Sequence, residues 1–309
     1  MKIDEVRRIL TIGAGTMGHQ IGFLCAMNGY DVVVYDVAPD IFEATRKRLA
    51  QLADRFVKKG RLPAEEKAAV LSRITFTNDA KSAAANIDIV TESVPEDPKI
   101  KARVFAEFNR LCPARTVFTT NTSTLVPSMF AEATGRPDRF LAFHFHDILL
   151  TDVVDVMPHP GTSVESVELV RAFAERLDQT VIVLERENFG YVFNAMLSDL
   201  FKSALTLASN GIAAVEDIDR AWMGVLQAPM GPFGMMDSVG LDTVWKINDY
   251  WAKITKDPQS KTNAAFLKTL VDDGRLGIKS GGGFYTYPAP LFHQPDFLKQ
   301  NTGKKKRPN

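Results

Sequence analysis

Apolar residues come in short unbroken blocks through the first half of the chain and at helical spacing through the second. Ile9-Leu10-Thr11-Ile12 belongs to such a block over residues 6–12, and it runs into Gly13-Ala14-Gly15-Thr16-Met17-Gly18. Residues 16–28 then read as a helix, with Met17, Ile21, Leu24, Cys25 and Met27 near one face and Gly29 as its C-cap. The next block, Asp31-Val32-Val33-Val34-Tyr35, ends at Asp36. Continuous apolar strands joined by helices predict a parallel sheet covered on both faces.

The same reading extends along the chain. The segment from Pro39 to about Leu71 places Ile41, Ala44, Leu49, Leu52, Phe56 and Val57 at helical spacing, and Leu62-Pro63-Ala64-Glu65-Glu66 marks a break and restart. This predicts a helical hairpin inserted into the doubly wound fold. Its basic residues Arg46, Lys47, Arg48, Arg55, Lys58, Lys59 and Arg61 could meet substrate phosphates or simply form a solvated face. Strands are expected at 74–76, 88–91, 116–120, 140–145, 153–157 and 180–184, with helices at 98–111 and 163–177. After Glu185 the pattern turns helical, over 190–210, 215–223, 238–254 and 260–273. Strand-like alternation returns only at Phe284-Tyr285-Thr286-Tyr287. The expected fold is therefore α/β, a doubly wound Rossmann domain over 1–186 followed by an all-helical domain over 187–309. The basic tail from Gly303 to Asn309 reads as a disordered terminus.

Composition narrows the class. The 309 residues allow about two domains, and 45% hydrophobic with 24% charged residues is ordinary for a globular protein. A formal net charge of zero argues against nucleic acid as a main partner and against a polybasic membrane surface. Cys25 and Cys112 stand far apart, so neither a disulfide framework nor a zinc site is expected, and no metal. A charged N-terminus with no signal peptide and no apolar run of membrane-spanning length points to a cytoplasmic protein.

The chemistry gathers where strands end. The glycine turn fits G-x-G-x-x-G. Its first glycine permits the tight turn, its second the approach of a pyrophosphate, and its third close packing of helix on strand. The helix N-terminus then offers unpaired amides to phosphate. Asp36, about 20 residues on, stands where an acidic residue binds a ribose 2′-hydroxyl. Three further polar clusters close strands, at Glu92 to Glu96, Asn121 to Ser123, and His144. Ligands of open α/β sheets bind beyond such ends. Ser123 could equally be a helix N-cap. Hydride transfer to a nicotinamide needs a group that takes the hydroxyl proton. His144 suits that task, with Asp155 on the next strand able to hold its other nitrogen.

These residues give the chain a resemblance to the L-3-hydroxyacyl-CoA dehydrogenase family, running from Gly13 to Tyr287. Its markers are Gly13-Ala14-Gly15-Thr16-Met17-Gly18, Asn121-Thr122-Ser123, His144-Phe145, Asn194 in Gly190-Tyr191-Val192-Phe193-Asn194, Met230-Gly231-Pro232-Phe233 and Leu276-Gly277-Ile278-Lys279. The resemblance implies an NAD-binding domain, a helical domain that forms a homodimer, and an active site in the cleft between them. It implies His144 as catalytic base, Asp155 in place of its partner glutamate, and Ser123 and Asn194 as hydrogen-bonding side chains near the reacting oxygen. The cofactor contacts it implies are Gly13, Ala14, Gly15, Thr16, Met17, Gly18, Asp36, Glu96, Lys101, Asn121, Ser123 and Lys279. Asp36 without a following arginine implies NAD over NADP.

Two departures stand out. The family follows its His-Phe with Phe-Asn-Pro, whereas here the residues are His146-Asp147-Ile148, and the stretch to the carboxylate is one residue shorter. Asp155 serves if the loop draws it close; otherwise Asp147 or Asp152 is the candidate. The altered loop lies where substrate is expected. The reading is an NAD-dependent oxidoreductase of a 3-hydroxy/3-oxo pair, with an acyl-CoA as substrate. The alternatives are a small 3-oxo acid, sugar acid or diketo ester, as in a subgroup that also lacks the Asn-Pro pair, or a non-catalytic NAD-binding protein.

Overall fold

A computed structural model describes residues 1–299; the basic tail beginning at Gly303 lies outside the described residues. Eight strands form one sheet in the order β3-β2-β1-β4-β5-β6-β7-β8. They are β1 Arg8–Ile12, β2 Asp31–Tyr35, β3 Ile74–Thr77, β4 Ile89–Glu92, β5 Val117–Thr120, β6 Phe140–Phe145, β7 Val153–Pro158 and β8 Thr180–Val183. The first six are parallel. β7 runs antiparallel to β6, and β8 runs parallel to β7.

Why the strands read as solid apolar blocks is clear from their two faces. Ile9, Val32 and Val34 face one core, which includes Phe23 and Leu24 of α1 (Thr16–Met27), Leu52 and Phe56 of α2 (Ile41–Lys58), and Phe173 of the helix after β7. Leu10, Ile12 and Val33 face the other, with Phe105 and Phe108 from the helix after β4. Burial on both faces leaves no position for polar alternation. The hairpin is present as α2 with the short α3 (Lys67–Ser72). A one-turn α4 (Ala80–Ala83), too short to show a period, is capped by Asp79. α5 (Pro98–Leu111) starts where Asp97 accepts the amides of Lys99 and Ile100, and α6 (Val164–Arg176) starts at Ser163. The first strand begins at Arg8 rather than residue 6, because Ile3–Glu5 forms a 3-10 turn.

The chain divides into two compact units, Met1–Asn194 and Ala195–Asn309. α7 (Phe193–Ser209), from Ala195 onward, and helices α8 (Val215–Leu226), α9 (Pro232–Val239), α10 (Leu241–Thr255) and α11 (Pro258–Asp272) lie in the second. Its core holds Phe201, Leu205, Phe233, Met236, Leu241 and Leu267. Three expectations are corrected here. The helix expected from 190 begins at Phe193, since Gly190 and Tyr191 both take left-handed backbone, φ 75 and 55. The helix expected over 238–254 is two helices broken at Gly240, φ 99, the first opened by Pro232 at its first turn. Phe284 to Tyr287 is no strand. The Phe284 and Tyr285 amides donate to the buried Asp237 carboxylate, leaving only the isolated bridges Gly277–Gly282 and Gly282–Thr286. Asp219, also buried, accepts the first amides of α9 from Phe233 and Gly234 and the Tyr285 hydroxyl.

Candidate active site

The glycine turn connects β1 to α1. Gly13 has φ 102, and a Cβ there would stand 2.6 Å from the Ser93 carbonyl oxygen; at Gly18 it would stand 1.8 Å from that of Gly13. Both positions require glycine for the fold itself. Gly15 differs: a Cβ there meets nothing within 4 Å among the described residues. No side chain caps α1 at Gly15, so the amides of Thr16 and Met17 face open space beside it. Asp36, at the end of β2, accepts the Ala14 amide at 2.9 Å and the Ala38 amide at 3.0 Å, which fixes its carboxylate beside the turn. An open cradle, free helix amides and a fixed acidic group at the neighbouring strand end fit the pyrophosphate and ribose of NAD.

Beyond β4 and β5 lies a buried network. Lys101, 1% exposed, donates to Glu92 at 2.7 Å and to the Val94 carbonyl at 3.3 Å, and stands 3.3 Å from Glu96. Those three partners account for the three N–H bonds of an ammonium. Glu92 also accepts the Thr120 hydroxyl at 2.6 Å. Glu96 accepts the Thr122 and Thr124 hydroxyls and the Ser123 amide. Burial pushes Glu96 up, but the Lys101 charge and the threonine hydroxyls outweigh it and hold the carboxyl below its ordinary value. The network thus anchors the loop that carries Ser123. Asn121 accepts the Phe145 amide at 2.7 Å, tying that loop to the end of β6, and Asn194 donates to the Ser123 carbonyl at 3.3 Å.

His144 lies on β6 directly opposite Asp155 on β7. Its Nδ1 is 3.0 Å from Asp155 Oδ2, and both side chains are almost fully buried. Cross-strand partners have Cβ atoms about 5 Å apart, so an aspartate reaches the ring without an extra methylene. Burial pushes His144 below the ordinary histidine value, although Asp155 works against it. Burial pushes Asp155 up, and the hydrogen bonds from His144 and His146 more than offset it, leaving the carboxyl below its usual range. The Tyr191 ring packs on His144 with centroids 5.0 Å apart. This brings the segment that carries Asn194 to the histidine.

Asp147 and Asp152 are otherwise engaged. Asp147 accepts the Leu149 amide, and Asp152 pairs with Arg61 at 2.6 Å. Arg61 also donates to the Ile148 carbonyl and Lys59 to the Leu149 carbonyl, while Gln20 of α1 accepts the Ile148 amide. Two of the hairpin's basic residues therefore hold the altered loop. Arg46 lies over Phe76 and Lys47 pairs with Glu43. Arg48, Arg55 and Lys58 are exposed.

In the first unit, then, His144 is paired with Asp155, Asn121 holds the Phe145 amide beside it, Asn194 bonds the Ser123 carbonyl, and Asp36 bonds the Ala14 amide of the glycine turn. Lys101 is enclosed within its carboxylates. Lys279 belongs to the second unit, where it pairs with Asp242. The sequence places Glu92 and Thr122 in strand-end polar clusters and Tyr191 in the marker that carries Asn194, but it assigns no individual role to these three or to Thr120. Glu92, Thr120 and Thr122 had a signal, since each polar group closes or follows an apolar strand. Tyr191 had none beyond that marker. Among the described residues, no helix is long and apolar enough to cross a membrane.

Comparison with known proteins places both parts of the chain. Residues 8–188 match the family model of the 3-hydroxyacyl-CoA dehydrogenase NAD binding domain, and residues 190–287 match that of its C-terminal domain. The chain is 33% identical over 286 residues to a 3-hydroxybutyryl-CoA dehydrogenase of Mycobacterium tuberculosis, covering 92% of this chain and 99% of that one. A diketoreductase acting on dicarbonyl compounds has a similar structure, with TM-score 0.84 and 35% identity over 91% of this chain and 99% of that one. The (S)-3-hydroxybutyryl-CoA dehydrogenase of Ralstonia eutropha superposes with TM-score 0.83 at 28% identity, over 92% of this chain and 100% of that one. The chain belongs to the 3-hydroxyacyl-CoA dehydrogenase family of NAD-dependent oxidoreductases.

Proposed function

We propose that this protein interconverts a 3-hydroxyacyl-CoA and its 3-oxo form, with His144 as the general base in the oxidative direction and the general acid in reverse. The observation that carries this reading is the buried His144–Asp155 pair at 3.0 Å. Bound NAD supplies the hydride acceptor. Asp155 holds Nδ1–H, so the lone pair of His144 sits on Nε2, ready for the substrate hydroxyl proton. The resulting imidazolium is stabilised by the adjacent carboxylate. Ser123 and Asn194 hydrogen-bond the reacting oxygen, where charge develops and where fixed donors act most strongly. Glu96 and Lys101 serve the cofactor by setting the loop of Ser123. Asp36 binds the ribose, and Lys279 acts near the cofactor. The second unit exposes Leu207, Ile212, Val225, Tyr250, Trp251 and Ile254. Exposed apolar side chains of this size suit a homodimer interface. A cytoplasmic setting accords with two buried free thiols.

A second substrate reading is favoured by the clasp on residues 147–152. Arg61 and Lys59, which could have met CoA phosphates, are spent on that loop, and the structurally similar diketoreductase acts on dicarbonyl compounds. One assay separates the two: NADH oxidation with acetoacetyl-CoA against small diketo esters and 3-oxo acids. Higher kcat/KM for the thioester supports the first reading. Turnover confined to the small compounds overturns it in favour of the second.

A further inference from the structure

The end of β6 places a second imidazole on the carboxylate that holds His144. His146 Nε2 is 3.4 Å from Asp155 Oδ2, the same oxygen that lies 3.0 Å from His144 Nδ1. The two rings meet edge to face with centroids 4.5 Å apart, and Phe193 stands against His146 at 5.7 Å. One ligand atom from each of the three side chains lies within 4.8 Å of the others.

Two of these separations suit a metal ion as well as they suit a hydrogen bond. A tetrahedral ion about 2.0–2.1 Å from nitrogen and oxygen ligands needs those ligands about 3.3 Å apart. The 3.0 and 3.4 Å separations from Asp155 Oδ2 bracket that value, and the two ring nitrogens lie within 4.8 Å of each other, so the ion needs only a small approach of the two rings. Two imidazoles with one carboxylate suit zinc, copper or nickel, and not the all-oxygen preference of magnesium or calcium. His144 and Asp155 are nearly buried, while the His146 side chain is 18% exposed and gives an entry side. Three protein ligands leave the fourth position for water.

We propose that His144, His146 and Asp155 capture Zn²⁺, and that the captured ion switches the enzyme off. The inhibitory half rests on the reading of His144 as the base. A neutral imidazole that binds metal through Nδ1 carries its one proton on Nε2. The proton moves from Nδ1 to Nε2, the Nδ1 lone pair forms the bond to zinc, and no net proton is released. Nε2, which must accept the hydroxyl proton, is then already occupied. Asp155 is at the same time bound to the ion and no longer stabilises an imidazolium. Zinc therefore stops turnover without touching the glycine turn.

The test is a Zn²⁺ titration of the whole protein by calorimetry, alongside turnover and NADH binding with and without zinc. His146→Phe and His146→Asn are compared with the parent, with thermal melts to confirm folding, and His293→Asn is the control for a histidine elsewhere. The expected result is one zinc per chain, loss of kcat that a chelator reverses, and unchanged NADH affinity. Both His146 variants should weaken zinc binding by more than about tenfold and keep turnover in its presence, while His293→Asn behaves as the parent. Millimolar Mg²⁺ should leave turnover unchanged. The site is overturned if folded His146 variants bind zinc as the parent does, or if the parent binds none. Zinc binding that depends on His146 but leaves kcat intact overturns the inhibitory half and counts against His144 as the base.

Discussion

His144 and Asp155 are direct partners in the antiparallel ladder between β6 and β7, joined from Nδ1 to Oδ2 at 3.0 Å. Orientation of the imidazole is thus set by strand pairing. We expect His144→Ala to lower kcat by about 10²–10⁴-fold, the usual worth of a general base, with NADH affinity unchanged. Asp155→Asn keeps the shape but can favour the other tautomer, so kcat should fall while the melting temperature moves little. Steady-state kinetics with fluorescence titration of NADH checks both. Near-parental kcat in His144→Ala removes the histidine from the mechanism.

Burial lowers the His144 pKa, and oxidation needs the neutral ring. As pH falls, the base therefore stays active past the ordinary histidine value of 6.5. The acid limb of kcat/KM for the hydroxy substrate should fall below that value. In Asp155→Asn it should move lower still, because the charge that favours the imidazolium is gone. The reductive direction, which needs the protonated ring, should speed up toward acid pH. A pH–rate profile with its acid limb at or above 6.5 contradicts the burial account.

Gly15 and Gly18 should separate binding from folding. A side chain at Gly15 enters open space, so Gly15→Val should leave the melting temperature unchanged and weaken NADH binding by more than about tenfold, the cost of excluding a backbone-bound phosphate. A Cβ at Gly18 collides with the Gly13 carbonyl. Gly18→Ala should therefore destabilise the fold by about 1–3 kcal/mol or more, as overpacking does. Equal melting shifts in the two variants would show that Gly15 is structural as well.

Arg61 and Asp152 form a half-exposed pair, with side chains 28% and 49% accessible. Their coupling should be worth no more than about 1 kcal/mol in a double-mutant thermal cycle. The functional effect should be larger than the stability effect. Arg61→Ala frees the loop of residues 147–152 and should raise KM for the 3-oxo substrate several-fold, leaving NADH affinity alone. An unchanged KM across substrates of different size would exclude this loop from substrate recognition.

The parallel half of the sheet was legible because each strand is a solid apolar block ended by a polar cluster, and the glycine turn because its three positions obey separate constraints. The choice among Asp147, Asp152 and Asp155 was not legible. It depends on cross-strand register, which a loop of altered length obscures. Glu96 and Lys101 were expected to contact the cofactor, yet Lys101 is buried against Glu92 across the turn from β4 to α5, a pairing that no helical or strand period reveals. The alternation of Phe284 to Tyr287 misled because its amides and hydroxyls answer to two buried aspartates in place of a neighbouring strand.

The reversal of β7 has a consequence for how such an enzyme can change. His144 and Asp155 lie only 11 positions apart, and every residue between them belongs to a single hairpin connection or its flanking rungs. Lengthening, shortening or recharging that connection alters what meets the substrate while the rungs keep acid and base in step. A shorter, differently charged turn can thus be exchanged as a cassette, and specificity can drift without rebuilding the proton-transfer pair.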